Sequence, residues 1–175
     1  MNSETKVIGV YHTVKHPDYP KVLNYLKTEI RASEIVAVES PWSLEKILEE
    51  GKNTANSSYQ FLYNICILLG ERGAEIKPVE DQRLYLIAAK LKWWYMFEET
   101  DELEKNPGWQ KISIKRSIRL LELARKEESD YLVTGILHAY DLQRMGHQKV
   151  VLLSDLPENI KLKEDSWIEK FGKKL

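Results

Sequence analysis

The chain has 175 residues, 43% of them hydrophobic and 30% charged, with 26 basic side chains set against 27 acidic ones. That composition excludes a disordered chain, and its near-neutral balance offers no electrostatic footprint for nucleic acid or an anionic membrane. A chain of this length fits a single domain, 1–175, able to bury roughly two-thirds of its unfolded surface.

Lys6 to Tyr11 (KVIGVY) is a short apolar run ended by His12 and predicts a buried strand. Asp18 and Pro20 suit the first turn of a helix on which Val22, Leu23, Leu26 and Ile30 repeat at helical spacing. Ile35 to Val38 predicts a second strand, stopping at Glu39 with Ser40-Pro41 behind it. Ser43 is placed to cap a helix carrying Leu44, Ile47 and Leu48, closed by Gly51. After the polar stretch Lys52 to Ser58, a long apolar helix runs to Gly70 or Gly73.

Ala74 to Val79 predicts a weaker third strand, with Pro78 near its end and Glu80, Asp81 and Arg83 beyond it. The next helix carries Leu84, Ile87, Leu91 and Trp94, and Asn106-Pro107-Gly108 breaks it. Trp93, Trp94, Tyr95 and Phe97 cannot share one helix face, so this region suggests a homodimer contact or a substrate wall. Ile114, Ile118 and Leu121 define another helix. Asp130 to Leu137 predicts a fourth strand ended by His138, followed by a short helix from Ala139 to Met145 that Gly146 closes. Val150 to Leu153 predicts a fifth strand, and the tail 154–175 places Trp167, Ile168 and Phe171 on one helical face.

Strands alternating with helices predict an α/β domain: a mostly parallel central sheet of about five strands with helices on both faces. The lone Cys66 lies in an aliphatic run, excludes an internal disulfide and suits a reducing, cytoplasmic setting. The polar amino end shows no signal peptide, and no apolar stretch approaches the ~20 residues of a membrane span.

Ligands bind outside the carboxyl ends of the strands of an open parallel sheet, so the residue closing each strand matters. These are His12, Glu39, Glu80 with Asp81, and His138: a metal-capable or acid–base group on each of the first four strands. Both histidines close a Gly-x-x-His sequence, Gly9 to His12 (GVYH) and Gly135 to His138 (GILH). Only 8 of the 175 residues are glycine, so this pairing in two of the four histidines is informative. A glycine within a strand marks close approach by another group. His16 reads as a rim residue, His147 as a surface turn, and Asp141 as a helix-start carboxylate ahead of a partner fixing a histidine tautomer.

This ordered set resembles a superfamily containing the TraB proteins, the TIKI metalloproteases, the erythromycin esterase-like hydrolases and the ChaN-like haem-binding proteins. The resemblance rests on Gly9 to His12, Val36 to Glu39, the acidic–arginine stretch Glu80 to Arg83 (EDQR) and Gly135 to His138, and spans about residues 6–153. Two departures stand out: the chain is shorter than typical members, and Glu39 is followed by Ser-Pro-Trp.

Two imidazoles and one or two carboxylates suit a divalent Mn, Co, Fe or Zn ion, which would lower the pKa of a bound water. Similarity to the TIKI proteins implies that version, with His12, Glu39 and His138 as metal ligands. Similarity to the erythromycin esterase-like proteins implies a metal-free version, in which a histidine such as His12 takes a proton from water and Glu39 assists it. Arg83 would hold an anionic group or stabilise an oxyanion, and Glu80 belongs to the same catalytic set. The expected substrate is a small molecule or a peptide. The alternatives are a non-catalytic module binding a ligand or haem through the same edge, or a structural, oligomeric domain.

Overall fold

The computed structural model describes residues 4–97 and 106–172, the stretch 93–97 by its backbone alone. The elements alternate as the sequence predicts: β1 (Lys6–Val10), α1 (Tyr19–Glu29), β2 (Ile35–Glu39), α2 (Leu44–Gly51), α3 (Ser57–Glu71), β3 (Glu75–Val79) and α4 (Gln82–Phe97). They continue with α5 (Pro107–Lys126), β4 (Tyr131–Gly135), α6 (Ile136–Arg144), β5 (Val150–Leu152) and α7 (Glu158–Phe171). All five strands are parallel, in the order β3-β2-β4-β1-β5.

Alternate residues of each strand feed opposite layers. Ile8, Val10, Val36, Val38 and Val133 pack with Val22 and Leu26 of α1, Ile47 of α2 and Phe61, Ile65 and Leu69 of α3. On the other face Val7, Ala37, Val79 and Leu132 meet Leu120, Leu121 and Ala124 of α5 and Ala139 and Leu142 of α6. Burial on both sides explains why the strands read as continuous apolar runs. β3 lies at the sheet edge, and there Pro78 interrupts no central ladder.

Gly9 is required by packing. A Cβ there would lie 2.6 Å from Cβ of Ala139 and 2.9 Å from Cδ2 of Leu152, so its absence lets α6 settle on the sheet.

Two expectations are corrected, on the fourth strand and on His147, and the Asn106-Pro107-Gly108 break has a further role. The fourth strand stops at Gly135, and Ile136, Leu137 and His138 form the first turn of α6. A short apolar run has no period long enough to separate strand from helix, and Ile136 and Leu137 served the helix. Asn106-Pro107-Gly108 starts a helix: the Asn106 side chain accepts the Gly108 and Trp109 N–H groups, with Pro107 in the first turn. His147 is buried, its Nε2 lying 2.8 Å from the Thr5 carbonyl oxygen and its Nδ1 3.1 Å from Glu4 Oε1. The side chains of Trp93, Trp94, Tyr95 and Phe97, where a dimer contact was expected, lie outside the described residues.

Candidate active site

Strand order assembles the site. β2, β4 and β1 are consecutive neighbours with β3 outside β2, so the segments leaving their carboxyl ends converge although the chain visits them far apart. Glu39 closes β2, His12 lies two residues past β1, His138 sits in the first turn of α6, and Glu80 follows β3.

Glu39 is the hub. Its Oε2 accepts the Thr134 hydroxyl at 2.6 Å and the Gly135 N–H at 2.7 Å. Its Oε1 accepts from the Arg116 guanidinium at 3.1 Å and lies 3.6 Å from His138 Nε2. His12 Nε2 is 4.0 Å from Oε2. That nitrogen is buried without a hydrogen-bond partner, although the His12 side chain as a whole is 25% exposed. The imidazole therefore shows solvent another edge and turns Nε2 toward the carboxylate. Phe61 of α3 packs against the same ring, 5.6 Å between centroids.

Burial opposes charge on Glu39, yet His138, His12, Arg116 and the Gly135 N–H together bring its pKa down to about 2. Burial, reinforced by Arg116 and His12 and opposed by Glu39, takes His138 down to about 4. His138 is thus neutral at neutral pH, where the Arg116 guanidinium, the Gly135 N–H and the Thr134 hydroxyl favour an ionised Glu39. The Gly135 donor caps the start of α6, where a helix favours negative charge.

Arg116, from α5, also grips Glu80, whose side chain is almost wholly buried. Burial pushes Glu80 above the usual carboxylate range against the pull of that guanidinium. Arg83, expected as the anion-holding cation, is exposed in the first turn of α4, and Arg116 fills that place. Asp81 caps α4 through the Arg83 and Leu84 N–H groups. His16 stacks on Tyr11 at 4.2 Å and accepts the Asp18 N–H.

Behind His138 lies a polar chain. Its Nδ1 is 2.8 Å from Ser117 Oγ, and that hydroxyl donates to Asp141 Oδ2 at 2.6 Å. Ser117 and Asp141 are fully buried, so Asp141 serves this chain and not merely the helix start.

Gly135 leaves space at the hub. A Cβ there would lie 3.4 Å from Glu39 Oε2, 3.6 Å from His138 Cδ2 and 3.9 Å from His12 Cε1. The two Gly-x-x-His glycines therefore have different purposes: Gly9 admits a helix, and Gly135 keeps open the point where three functional side chains meet.

Among the described residues, no group of three His, Cys, Asp or Glu side chains is arranged to hold a metal ion. Glu39 already serves two donors on one oxygen and a guanidinium on the other, a setting that fits an added dication poorly. Arg116, Ser117 and Thr134 complete the site without being expected from strand ends, though Ser117 and Thr134 are polar residues in otherwise apolar runs of their elements. No family model, no curated protein and no solved structure matches the chain. Among the described residues, no helix is long and apolar enough to cross a membrane.

Proposed function

We propose that the protein is a hydrolase in which a neutral imidazole takes a proton from water beside the permanently ionised Glu39. The observation that carries this reading is the approach of two imidazole Nε2 atoms, at 3.6 and 4.0 Å, to one buried carboxylate pinned by three donors. A carboxylate with a pKa near 2 does not itself take the proton efficiently at neutral pH. It stabilises the imidazolium that forms when a neighbouring ring does so. Arg116 balances the carboxylate's charge in the resting site, and Gly135 keeps the meeting point accessible.

The ordered Gly-x-x-His motifs and strand-end glutamate support membership of the TraB, TIKI and erythromycin esterase-like group. Within it the arrangement favours the metal-free version of the chemistry. The reading takes a small ester, amide or peptide as substrate and a cytoplasmic setting in keeping with the buried, unpaired Cys66. A panel of chromogenic esters and peptide anilides, run with chelator-treated protein, tests it. Turnover that falls at least a hundredfold, roughly, in both His138→Gln and Glu39→Gln supports the reading. Turnover restored only by Mn, Co, Fe or Zn replaces it with the metal-assisted version. A Soret band on haem titration without turnover replaces it with ligand binding.

A further inference from the structure

The Ser117 hydroxyl has one hydrogen and three close partners: the Ser113 carbonyl oxygen at 3.1 Å, Asp141 Oδ2 at 2.6 Å and His138 Nδ1 at 2.8 Å. The first is an acceptor only, and the hydroxyl donates to the second. With its single hydrogen claimed by oxygen, Ser117 meets the histidine as an acceptor, which requires the proton on Nδ1. Nε2 of the neutral ring is then bare and lies 3.6 Å from Glu39 Oε1.

A fourth member backs this chain. Asp141 Oδ1 and Glu164 Oε2 are buried oxygens without a hydrogen-bond donor, on residues 0% and 2% exposed. Two ionised carboxylates cannot sit together there, whereas one shared proton satisfies both. Burial and the neighbouring Glu164 drive Asp141 well above the usual carboxylate range, in keeping with Asp141 donating that proton to Glu164. Asp141 Oδ2 then remains an acceptor for Ser117, so the polarity runs one way from His138 to Ser117 to Asp141 to Glu164.

We propose that Ser117, Asp141 and Glu164 are positioning residues that fix His138 with its proton on Nδ1, making Nε2 the atom that accepts the proton of the attacking water. The assignment deepens the hydrolase reading and rests on it for the reaction. A water O–H bond breaks, its proton passes to His138 Nε2, and its oxygen adds to the substrate carbonyl. The imidazolium returns that proton to the leaving group as the acyl bond breaks. Ser117 and Asp141 hold the ring in register throughout, and Glu39 faces the charge that develops.

The test reads the tautomer without substrate. Long-range proton–nitrogen NMR of uniformly ¹⁵N-labelled protein at neutral pH resolves the four histidines, with His138→Gln assigning the resonance. The expected result is Nδ1 protonated and Nε2 bare in the wild type. Asp141→Asn should retain it, because an amide can accept from Ser117 and donate to Glu164 just as a protonated aspartate does. Ser117→Ala should lose it to a mixture of tautomers. A wild-type His138 carrying its proton on Nε2 overturns the proposal, as does a folded Ser117→Ala variant with an unchanged tautomer. If Ser117→Ala fails to fold, the wild-type spectrum still decides. A protein with the expected tautomer but no turnover refutes the hydrolase reading and leaves the positioning chain standing.

Discussion

Adding one methyl group to each Gly-x-x-His glycine should separate the two roles that the shared motif conceals. In Gly9→Ala the new carbon would lie 2.6 Å from Ala139 Cβ and 2.9 Å from Leu152 Cδ2, both within the packed layer under α6. Neither neighbour is the free end of a long flexible chain, so helix and strand must move apart, at a cost of about 1–3 kcal/mol. In Gly135→Ala the nearest atoms stand at 3.4, 3.6 and 3.9 Å, ordinary contact distances, and the backbone angles of −55° and 141° suit any residue. Its stability should stay within about 1 kcal/mol of wild type, because the lost chain flexibility favours the folded state. Its methyl, however, occupies the space between Glu39, His138 and His12, and should reduce turnover on the order of a hundredfold by displacing the reacting water. Urea denaturation gives the stabilities and hydrolysis of the best panel substrate gives the rates. Equal destabilisation in the two variants, or full activity in a stable Gly135→Ala, would show that the two glycines do not have these separate roles.

Replacing Arg116 by methionine leaves Glu39 and Glu80 buried without their counter-charge and should cost about 3–5 kcal/mol in urea denaturation at pH 7. Thr134→Val keeps the side-chain shape but removes a 2.6 Å donor to Glu39, for an expected loss of about 1–3 kcal/mol and a raised Glu39 pKa. Acid should destabilise the protein in two overlapping windows. His138 titrates near 6.5 when unfolded and near 4 when folded, so the unfolded chain binds more protons between those values and stability falls as pH drops through them. Glu39 adds a second loss between about 4.5 and 2. Measuring the urea midpoint against pH should show His138→Gln flattening the upper window, on the order of 3 kcal/mol, and narrowing the lower one, because the charged His138 is the strongest of the groups that depress Glu39. An unchanged upper window would contradict a buried, neutral His138.

The strands were legible because burial on both faces writes them as β-branched runs, and their closing residues pointed to one edge of the sheet. Glu39 and His12 lie where that logic puts them. His138 reaches the site by another route: Ile136 and Leu137 read as strand but turn at once into α6, because nothing in two apolar residues fixes a period. The positively charged partner was misplaced for a similar reason. Arg83 follows a strand end and looked functional, whereas Arg116 lies in Lys115-Arg116-Ser117, which resembles a solvated helix face. Its sign was available only in the helical register. Ser117 shares a stripe with Ile114, Leu121 and Ala124, and Glu164 shares one with Ile160 and Trp167. A polar residue in an apolar stripe requires a buried partner, but the partner's identity depends on how α5, α6 and α7 pack together.

Turnover by chelator-treated wild type beside folded Glu39→Gln tests the central claim most directly, since the amide keeps the shape of the hub and removes its charge. The account predicts hydrolysis in the wild type without added metal, and a loss of roughly a hundredfold or more in the variant. Equal turnover in the two proteins, or turnover that appears only when a divalent ion is supplied, would contradict it.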